Sequence, residues 1–300
     1  MRWSHLLIPA VTGLLFMASC DDGVKRPTDN LSSGTIDISV DETYKPVIEA
    51  QLKVFDSSYP EAHINVHYKP EAECFKDYFE NKARLILVTR QLSATEKELA
   101  DQKQIAPSSL LLAKDAIAVI VNKSSNDSMD KDELKGILTG AYKKKYTVVF
   151  DNQNSSTVRY ILDSLIPGSK LGSNVFAAKG NNEVVDYVSK NPDAIGFVGL
   201  NYVIDAADSN NTGAFTDRVN VVAIKNDSDG RFYKPYQAYI GTRYYSLTRN
   251  LYYINRETWQ GLGSGFANFL TQQQGQLIFY HQHLFPWQMH IVIREAEINP

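Results

Sequence analysis

From Gly34 onward, short apolar runs of strand length alternate with longer segments whose apolar residues recur every three or four positions. That alternation restricts the chain to an α/β architecture with largely parallel sheets. TIDISV (35–40) reads as a strand. Tyr44, Val47, Ile48, Leu52 and Phe55 then share one helical face, with Pro46 tolerated in the first turn and Pro60 closing the segment. HINVHY (63–68) alternates as a strand, RLILV (84–88) is a buried one, and Ser93 with Glu96 forms a capping box that opens the next helix. A second series follows. AIAVIV (116–121) is a strand, Leu134, Ile137 and Leu138 lie on a short helix stopped near Gly140, and TVVF (147–150) feeds a helix bearing Val158, Ile161, Leu162 and Leu165. A helix with Val184, Val185 and Val188 precedes the strand AIGFVG (194–199), and VNVVAI (219–224) closes the series. NDSDG (226–230) is a turn-rich break, after which a strand near 249–254 leads to helices at 258–270 and 272–280.

Two such series with a C-terminal return predict a two-lobed fold. Each lobe is expected to be a mainly parallel sheet flanked by helices, with two hinge crossings of the backbone near 112–115 and 225–230. Lobe 1 would comprise residues 34–112 and 227–300, and lobe 2 residues 113–226. A single large α/β domain is the alternative that the pattern leaves open.

The N-terminus carries a different signal. Arg2 gives a positive start, and Leu6 to Met17 is mostly apolar but broken by Pro9, Thr12 and Gly13. A membrane span needs about 20 apolar residues, so residues 1–19 read as a signal peptide. The ending MASC resembles a bacterial lipobox, whose cysteine is acylated through sulfur and becomes the new N-terminus, which here assigns lipidation to Cys20. Residues 20–33 then form a lipid-bearing, flexible tether poor in large apolar side chains. With Cys20 acylated, Cys74 is the only remaining cysteine and an intramolecular disulfide is impossible. The 31 basic and 34 acidic residues are nearly balanced, which argues against a nucleic-acid partner.

FDNQNSSTVRYILDSL (150–165) holds the strongest site signal. A buried strand ends at Phe150, and Ser155, Ser156 and Thr157 open an amphipathic helix after a polar loop. The first amides of a helix lack internal partners, and its dipole leaves about half a positive charge there. With adjacent hydroxyls the place suits an anion, although Asn154 or Ser155 acting purely as an N-cap remains open. DETYKP (41–46) and TRQLS (89–93) occupy the same strand-to-helix position. Ligands of open α/β sheets gather at the carboxyl ends of strands, so the three loops can converge on one oxyanion across a cleft.

In order along the chain, ISVDETYKPVIEA, ARLILVTRQLSATEKE, DAIAVIVNK, LKGILTG, NSSTVRYILDSL, NPDAIGFVG, YYSLTRNLYYI and GFANFLTQQQGQ followed by LFP resemble the PstS-type phosphate-binding lipoproteins of ABC importers. That family has the type II periplasmic-binding-protein fold, and the resemblance runs from Gly34 to the end. It implies that phosphate or a related oxyanion is held between the lobes by hydroxyls, backbone amides and an arginine, without a metal or other cofactor. A carboxylate accepts the ligand's remaining proton, which rejects sulfate. It further implies a monomeric protein anchored in the bacterial envelope, periplasmic or surface-facing, with ABC permease subunits as partners. Thr43 and Tyr44 fall on the first-loop ligands, and Ser155, Ser156 and Thr157 on the helix-start segment, Ser156 replacing a glycine. Asp151 stands where the family has an arginine, and Thr89 where it has the discriminating aspartate. Its Gly/Ser-rich second loop is PEAEC (70–74), bringing Glu71 and Glu73 near the site. Arg90 and Arg159 are the candidates for the missing positive charge, since the guanidinium fork can pair two oxygens. Arg159 reads equally well as a solvent-facing charge. Asp151, Glu71 or Glu73 could take over as proton acceptor.

These substitutions keep a second reading alive, an anion-sensing or scavenging lipoprotein with altered specificity and no permease. No Ser/His/Asp set, HExxH motif or cluster of metal-spaced carboxylates supports an enzyme. His63 and His67 would stand about 13 Å apart along a strand, too far for one metal ion. Cys74 reads as a packed thiol, and Tyr233, Tyr236, Tyr239, Tyr244 and Tyr245, at strand-like spacing, as core and lobe interface.

Overall fold

The computed structural model describes residues 28–125, 127–205 and 213–291. The proposed signal peptide, Cys20 and tether residues 21–27 lie outside the described residues. The first half of the chain runs β1 (Gly34–Asp41), α1 (Lys45–Ser58), β2 (Ala62–Lys69), α2 (Glu71–Phe79), β3 (Leu85–Val88), α3 (Ala94–Gln102) and β4 (Ser108–Val121). There follow β5 (Ser128–Met129), α4 (Lys131–Thr139), β6 (Thr147–Phe150), α5 (Ser156–Tyr160), β7 (Val175–Ala177), α6 (Asn181–Lys190) and β8 (Ala194–Gly199). The remainder is β9 (Asn220–Val221), β10 (Ala223–Lys225), β11 (Phe232–Tyr233), α7 (Gln237–Thr242), β12 (Thr248–Asn255), α8 (Leu262–Thr271), α9 (Gln273–His281) and β13 (Phe285–Pro286).

The first lobe is a three-layer sandwich, and β3 shows why. Its side chains alternate across the sheet. Leu85 and Leu87 enter the core beneath α1, α8 and α9, while Ile86 and Val88 enter a second core with Phe75 and Tyr78 of α2 and Ala100 of α3. An unbroken apolar run is what a strand covered on both faces requires. The order in this lobe is β2-β1-β3-β12-β4. The first three are parallel, and β12 is antiparallel to both neighbours. The second lobe has the order β4-β8-β6-β7, with β8, β6 and β7 parallel and β4 antiparallel to β8. The architecture is α/β as expected, each lobe combining a parallel trio with an antiparallel seam.

β4 belongs to both lobes. Residues from Ser108 to Ala116 pair with β12, and Ile117 to Val121 pair with β8. The first crossing therefore lies at Ala116–Ile117. Ile240, Tyr245 and Leu247 pack in the core of the second lobe, and Thr248 begins β12. The return lies at Leu247–Thr248 rather than at 225–230, and the Ile117 amide donates to the Leu247 carbonyl at 2.9 Å, tying the crossings together. NDSDG instead closes the β10–β11 hairpin, with Gly230 at φ 72°. A turn signal marks a reversal but cannot say which sheet receives the next strand.

Other local expectations shift as well. PEAEC is the first turn of α2, where Glu71 and Glu73 face the positive end of the helix dipole. The tyrosine-rich stretch holds a two-residue strand and α7, and its rings pack on one another, Tyr233 stacked on Tyr244 at 5.1 Å and edge-to-face with Tyr239 at 4.8 Å. Residues 28–33, read as tether, are tied to the body at Asp29, which is buried while Thr28, Asn30 and Ser32 stay exposed. Asp29 pairs both carboxylate oxygens with Arg84 at 2.9 and 2.7 Å and accepts the Leu262 amide that opens α8 at 2.7 Å. Among the described residues, no helix is long and apolar enough to cross a membrane.

Candidate interlobe binding site

The carboxyl ends of β1, β3, β6 and β8 meet along the seam between the lobes, and the residues following them are buried. Thr43, Tyr44, Asp151, Ser155, Ser156 and Thr157 are at most 1 % exposed and Thr89 is 6 % exposed. The lobes touch here. A Cβ placed on Gly199, at the end of β8, would meet the Thr43 methyl at 2.4 Å and lie 3.5 Å from Arg249 Nη2.

Arg249, in β12, is the centre of the site, and no sequence argument singled it out. It sits directly opposite Asp115 of β4 in the antiparallel ladder, and its Nε donates to Asp115 Oδ2 at 2.9 Å. Its Nη1 donates to Ser156 Oγ at 2.8 Å and Thr157 Oγ1 at 3.3 Å, so a cation of the first lobe holds the helix start of the second. Both hydroxyls act as acceptors in these contacts and keep their own hydrogens to donate, Ser156 having Asp41 as one hydrogen-bond partner. Nη2 has no hydrogen-bond partner among the described residues, and neither has the buried Thr43 hydroxyl. The signal for Arg249 was a pair of charges in apolar company. Asp115 interrupts LLLAKDAIAVIV, Arg249 lies in a strand between Leu247 and Leu251, and charges buried in strands must be paired.

Carboxyls surround this guanidinium. Asp41 accepts the Thr43 amide on Oδ1 at 3.0 Å and leaves Oδ2 without a partner. Burial pushes its carboxyl up to about 6, Glu71 adds to the rise, and Arg249 and Ser156 oppose it. Burial likewise raises Glu42 to about 7, with Asp151 and Asp41 contributing. Asp115 and Asp151 are both raised by burial against the pull of Arg249. Asp151 is occupied, taking the Asn152 amide at 3.0 Å and the Asn181 side chain at 3.2 Å, while Asn181 in turn accepts the Gly199 amide at 2.9 Å. A groove of about 600 Å³ opens beside the site between Lys45 and Tyr68 of the first lobe and Lys179, Asn182 and Tyr202 of the second.

The remaining expected residues divide. Ser155 is an N-cap, its hydroxyl accepting the Val158 amide at 3.2 Å, and α5 continues as a π-helical turn over Ile161–Leu165. Arg90 is taken up within its own lobe. It is forked onto Glu96 at 2.6 and 2.9 Å and lies 3.7 Å over the Phe75 ring, because the capping box that opens α3 places Glu96 within its reach. Arg159 does reach across to the first lobe, where its Nε donates to Glu71 at 2.6 Å and its Nη2 to Thr89 Oγ1 at 2.6 Å. Glu71 also takes the amide and hydroxyl of Thr89 at 2.7 and 2.5 Å, so neither residue is unengaged. Cys74 is a buried free thiol, its acidity suppressed by burial.

Comparison with known proteins gives one family model, described as a PBP superfamily domain, matching residues 26–274. The phosphate-binding protein PstS of Staphylococcus aureus (strain USA300) is 23 % identical over 297 residues, covering 92 % of this chain and 85 % of the relative. A crystal structure from Clostridium perfringens, described as a phosphate ABC transporter substrate-binding protein with bound phosphate, superposes with a TM-score of 0.72 at 21 % identity, over 85 % of this chain and all of the other. An ABC-type phosphate transport receptor from Vibrio cholerae gives a TM-score of 0.64 at 16 % identity, over 83 % and 99 % of the two chains.

Proposed function

The chain belongs to the PBP superfamily, and we propose that it is an extracytoplasmic solute-binding protein that holds phosphate, or a close oxyanion relative, between its lobes and delivers it to an ABC permease. In this reading it acts as a monomer, exported by its signal peptide and anchored through Cys20. The observation that carries the proposal is the pair of buried, unpartnered donors, Arg249 Nη2 and the Thr43 hydroxyl. Beside them stand the Ser156 and Thr157 hydroxyls, whose hydrogens Arg249 leaves available. An oxyanion offers acceptors to all four, and charge-assisted bonds of this kind are the stronger class. Names and folds of the relatives point the same way.

Asp41 gives the site its selectivity in this proposal. Its free Oδ2 stands close to Arg249 and Thr43, and a carboxylate beside an anion is tolerable only if the two share a proton. Hydrogen phosphate and arsenate bring one at neutral pH, whereas sulfate does not. Thr89 gives up the family's discriminating role, and Asp41 on the neighbouring strand assumes it.

The crowd of carboxyls around Arg249 favours a second reading, an anion sensor or scavenger without a permease. Calorimetry on the chain starting at residue 20 with Cys20→Ser, using phosphate, arsenate, sulfate and molybdate, tests the ligand common to both. Heat with phosphate and arsenate at a micromolar constant, about −8 kcal/mol, and none with sulfate is expected. Silence with all of them at millimolar concentration rejects the assignment.

A further inference from the structure

The contact between Arg159 and Glu71 is made by groups from opposite lobes, and its chemistry is that of an anion site already filled by the protein. Glu71 opens α2 in the first lobe, its side chain 2 % exposed, and its carboxylate collects the Thr89 amide, the Thr89 hydroxyl and Arg159 Nε. The Thr89 hydroxyl donates to Glu71 while accepting from Arg159 Nη2, so the three groups close a ring of hydrogen bonds across the seam. A hydroxyl can do both at once, and a guanidinium can serve two acceptors from one plane. Nothing in this ring depends on a solute.

We infer that Glu71 is a resident anion, and that the Arg159–Glu71–Thr89 ring is a latch holding the lobes together whether or not a solute is present. In a cleft closed only by its ligand, the solute is the sole negative partner that both lobes share, and its affinity includes the work of closure. Here the first lobe supplies a tethered carboxylate for that role. Tyr202 contributes on another part of the seam, its hydroxyl from the second lobe donating to the Glu42 carbonyl of the first at 2.9 Å. The solute is then left to the Arg249 and Thr43 donors, with little change in shape on binding. Asp163, one turn beyond Arg159, draws on the same guanidinium through Nη1 at 3.1 Å. It belongs to the second lobe and is largely exposed, so it keeps Arg159 extended without bridging the seam.

The inference deepens the solute-binding reading, because it concerns the regulation of the same cleft, but its decisive measurement needs no solute. Nitroxide labels at Lys97→Cys in α3 and Lys170→Cys in the second lobe, both exposed, report the interlobe distance by double electron–electron resonance on the full chain carrying Cys20→Ser, with Cys74 buried and unlabelled. The labelled protein without solute is expected to show one narrow distribution that millimolar phosphate leaves unchanged. Arg159→Ala, at a partly exposed position, is expected to move the distribution to longer and broader distances without solute. Glu71→Gln, which keeps shape but removes the charge, should do the same. Phosphate should restore the short distance in both variants, with an affinity at least tenfold weaker than in the parent. A parent distribution that is already broad without solute, or one that neither substitution shifts, overturns the latch. Opened variants that phosphate cannot close leave the latch standing and count instead against the phosphate reading.

Discussion

Replacing Arg249 by glutamine isolates the electrostatics of the cleft. The guanidinium is buried and is the direct partner of Asp115, with Asp41 and Asp151 close enough to feel its charge. Removing one member of a buried pair leaves the other uncompensated, which costs about 3–5 kcal/mol. For a chain of this size that corresponds to a fall of about 6–20 °C in melting temperature. The pH dependence is the sharper test. Arg249 opposes the rise of Asp41, Asp115 and Asp151 in the folded state, so without it their folded values climb further. A carboxyl whose folded value is raised contributes stability only while it is protonated, and that contribution drains away as pH climbs from its unfolded toward its folded value. In the variant this drain extends to higher pH, so its deficit is largest near pH 8 and shrinks toward pH 5, where Asp41, with a parent value of about 6, is protonated in both proteins. Urea denaturation of parent and variant at half-unit steps between pH 5 and 8 reads this directly, and Arg249→Gln with Asp115→Asn should regain about 1–3 kcal/mol. A deficit below about 1 kcal/mol, or one that is flat across this range, refutes the reasoning.

Thr43→Val removes a buried hydroxyl that has no partner, so stability should change by less than about 1 kcal/mol while phosphate affinity by calorimetry falls about 10–100-fold, the worth of one hydrogen bond to a charged group. Asp41→Asn should abolish discrimination by protonation, narrowing the phosphate-to-sulfate affinity ratio, and should stabilise the protein above pH 6, where the folded carboxyl is ionised at a cost of about 3 kcal/mol; thermal melts at pH 5 and 8 check the sign. Asp29→Ala removes the paired hydrogen bonds from Arg84 and the one from the first amide of α8 and should cost about 2–3 kcal/mol in denaturation, although Asp29 belongs to a stretch of sequence that reads as linker.

The fold was legible because its signal is local. The run at 84–88 and the alternation at 63–68 each commit a segment to one environment, and the Ser93–Glu96 capping box stands where the spacing placed it. The hinge was not legible, because whether residues after 226 stay with the second lobe depends on which strand accepts them, a contact distant in sequence. The anchoring of 28–33 at Asp29 was hidden for the same reason, since Asp29 is polar and only Arg84 and α8, far along the chain, bury it. In the site, Thr43, Tyr44, Asp151 and the Ser155–Thr157 segment could be placed because strand-to-helix loops must lie at one edge of a sheet. The positive charge was sought in those loops, at Arg90 and Arg159, because arginines near a loop look available. A carboxylate six residues on claimed Arg90 and one in the opposite lobe claimed Arg159, and the guanidinium at the centre came from a strand interior, where its burial could be recognised only by matching it with Asp115 across the ladder.

The central position of β12 governs the order in which the molecule is assembled as the chain emerges N-terminus first. The lobe 1 half of β4, Ser108–Ala116, takes as its neighbour a strand that ends at Asn255. A chain delivered N-terminus first must therefore extend from Val121 to Asn255 after β4 has emerged before that strand is available. In that interval the later lobe, a single continuous stretch between the two crossings, is complete, while the earlier lobe waits with an exposed row of backbone donors and acceptors. Chaperone dependence should therefore concentrate on the N-terminal third of the emerging polypeptide.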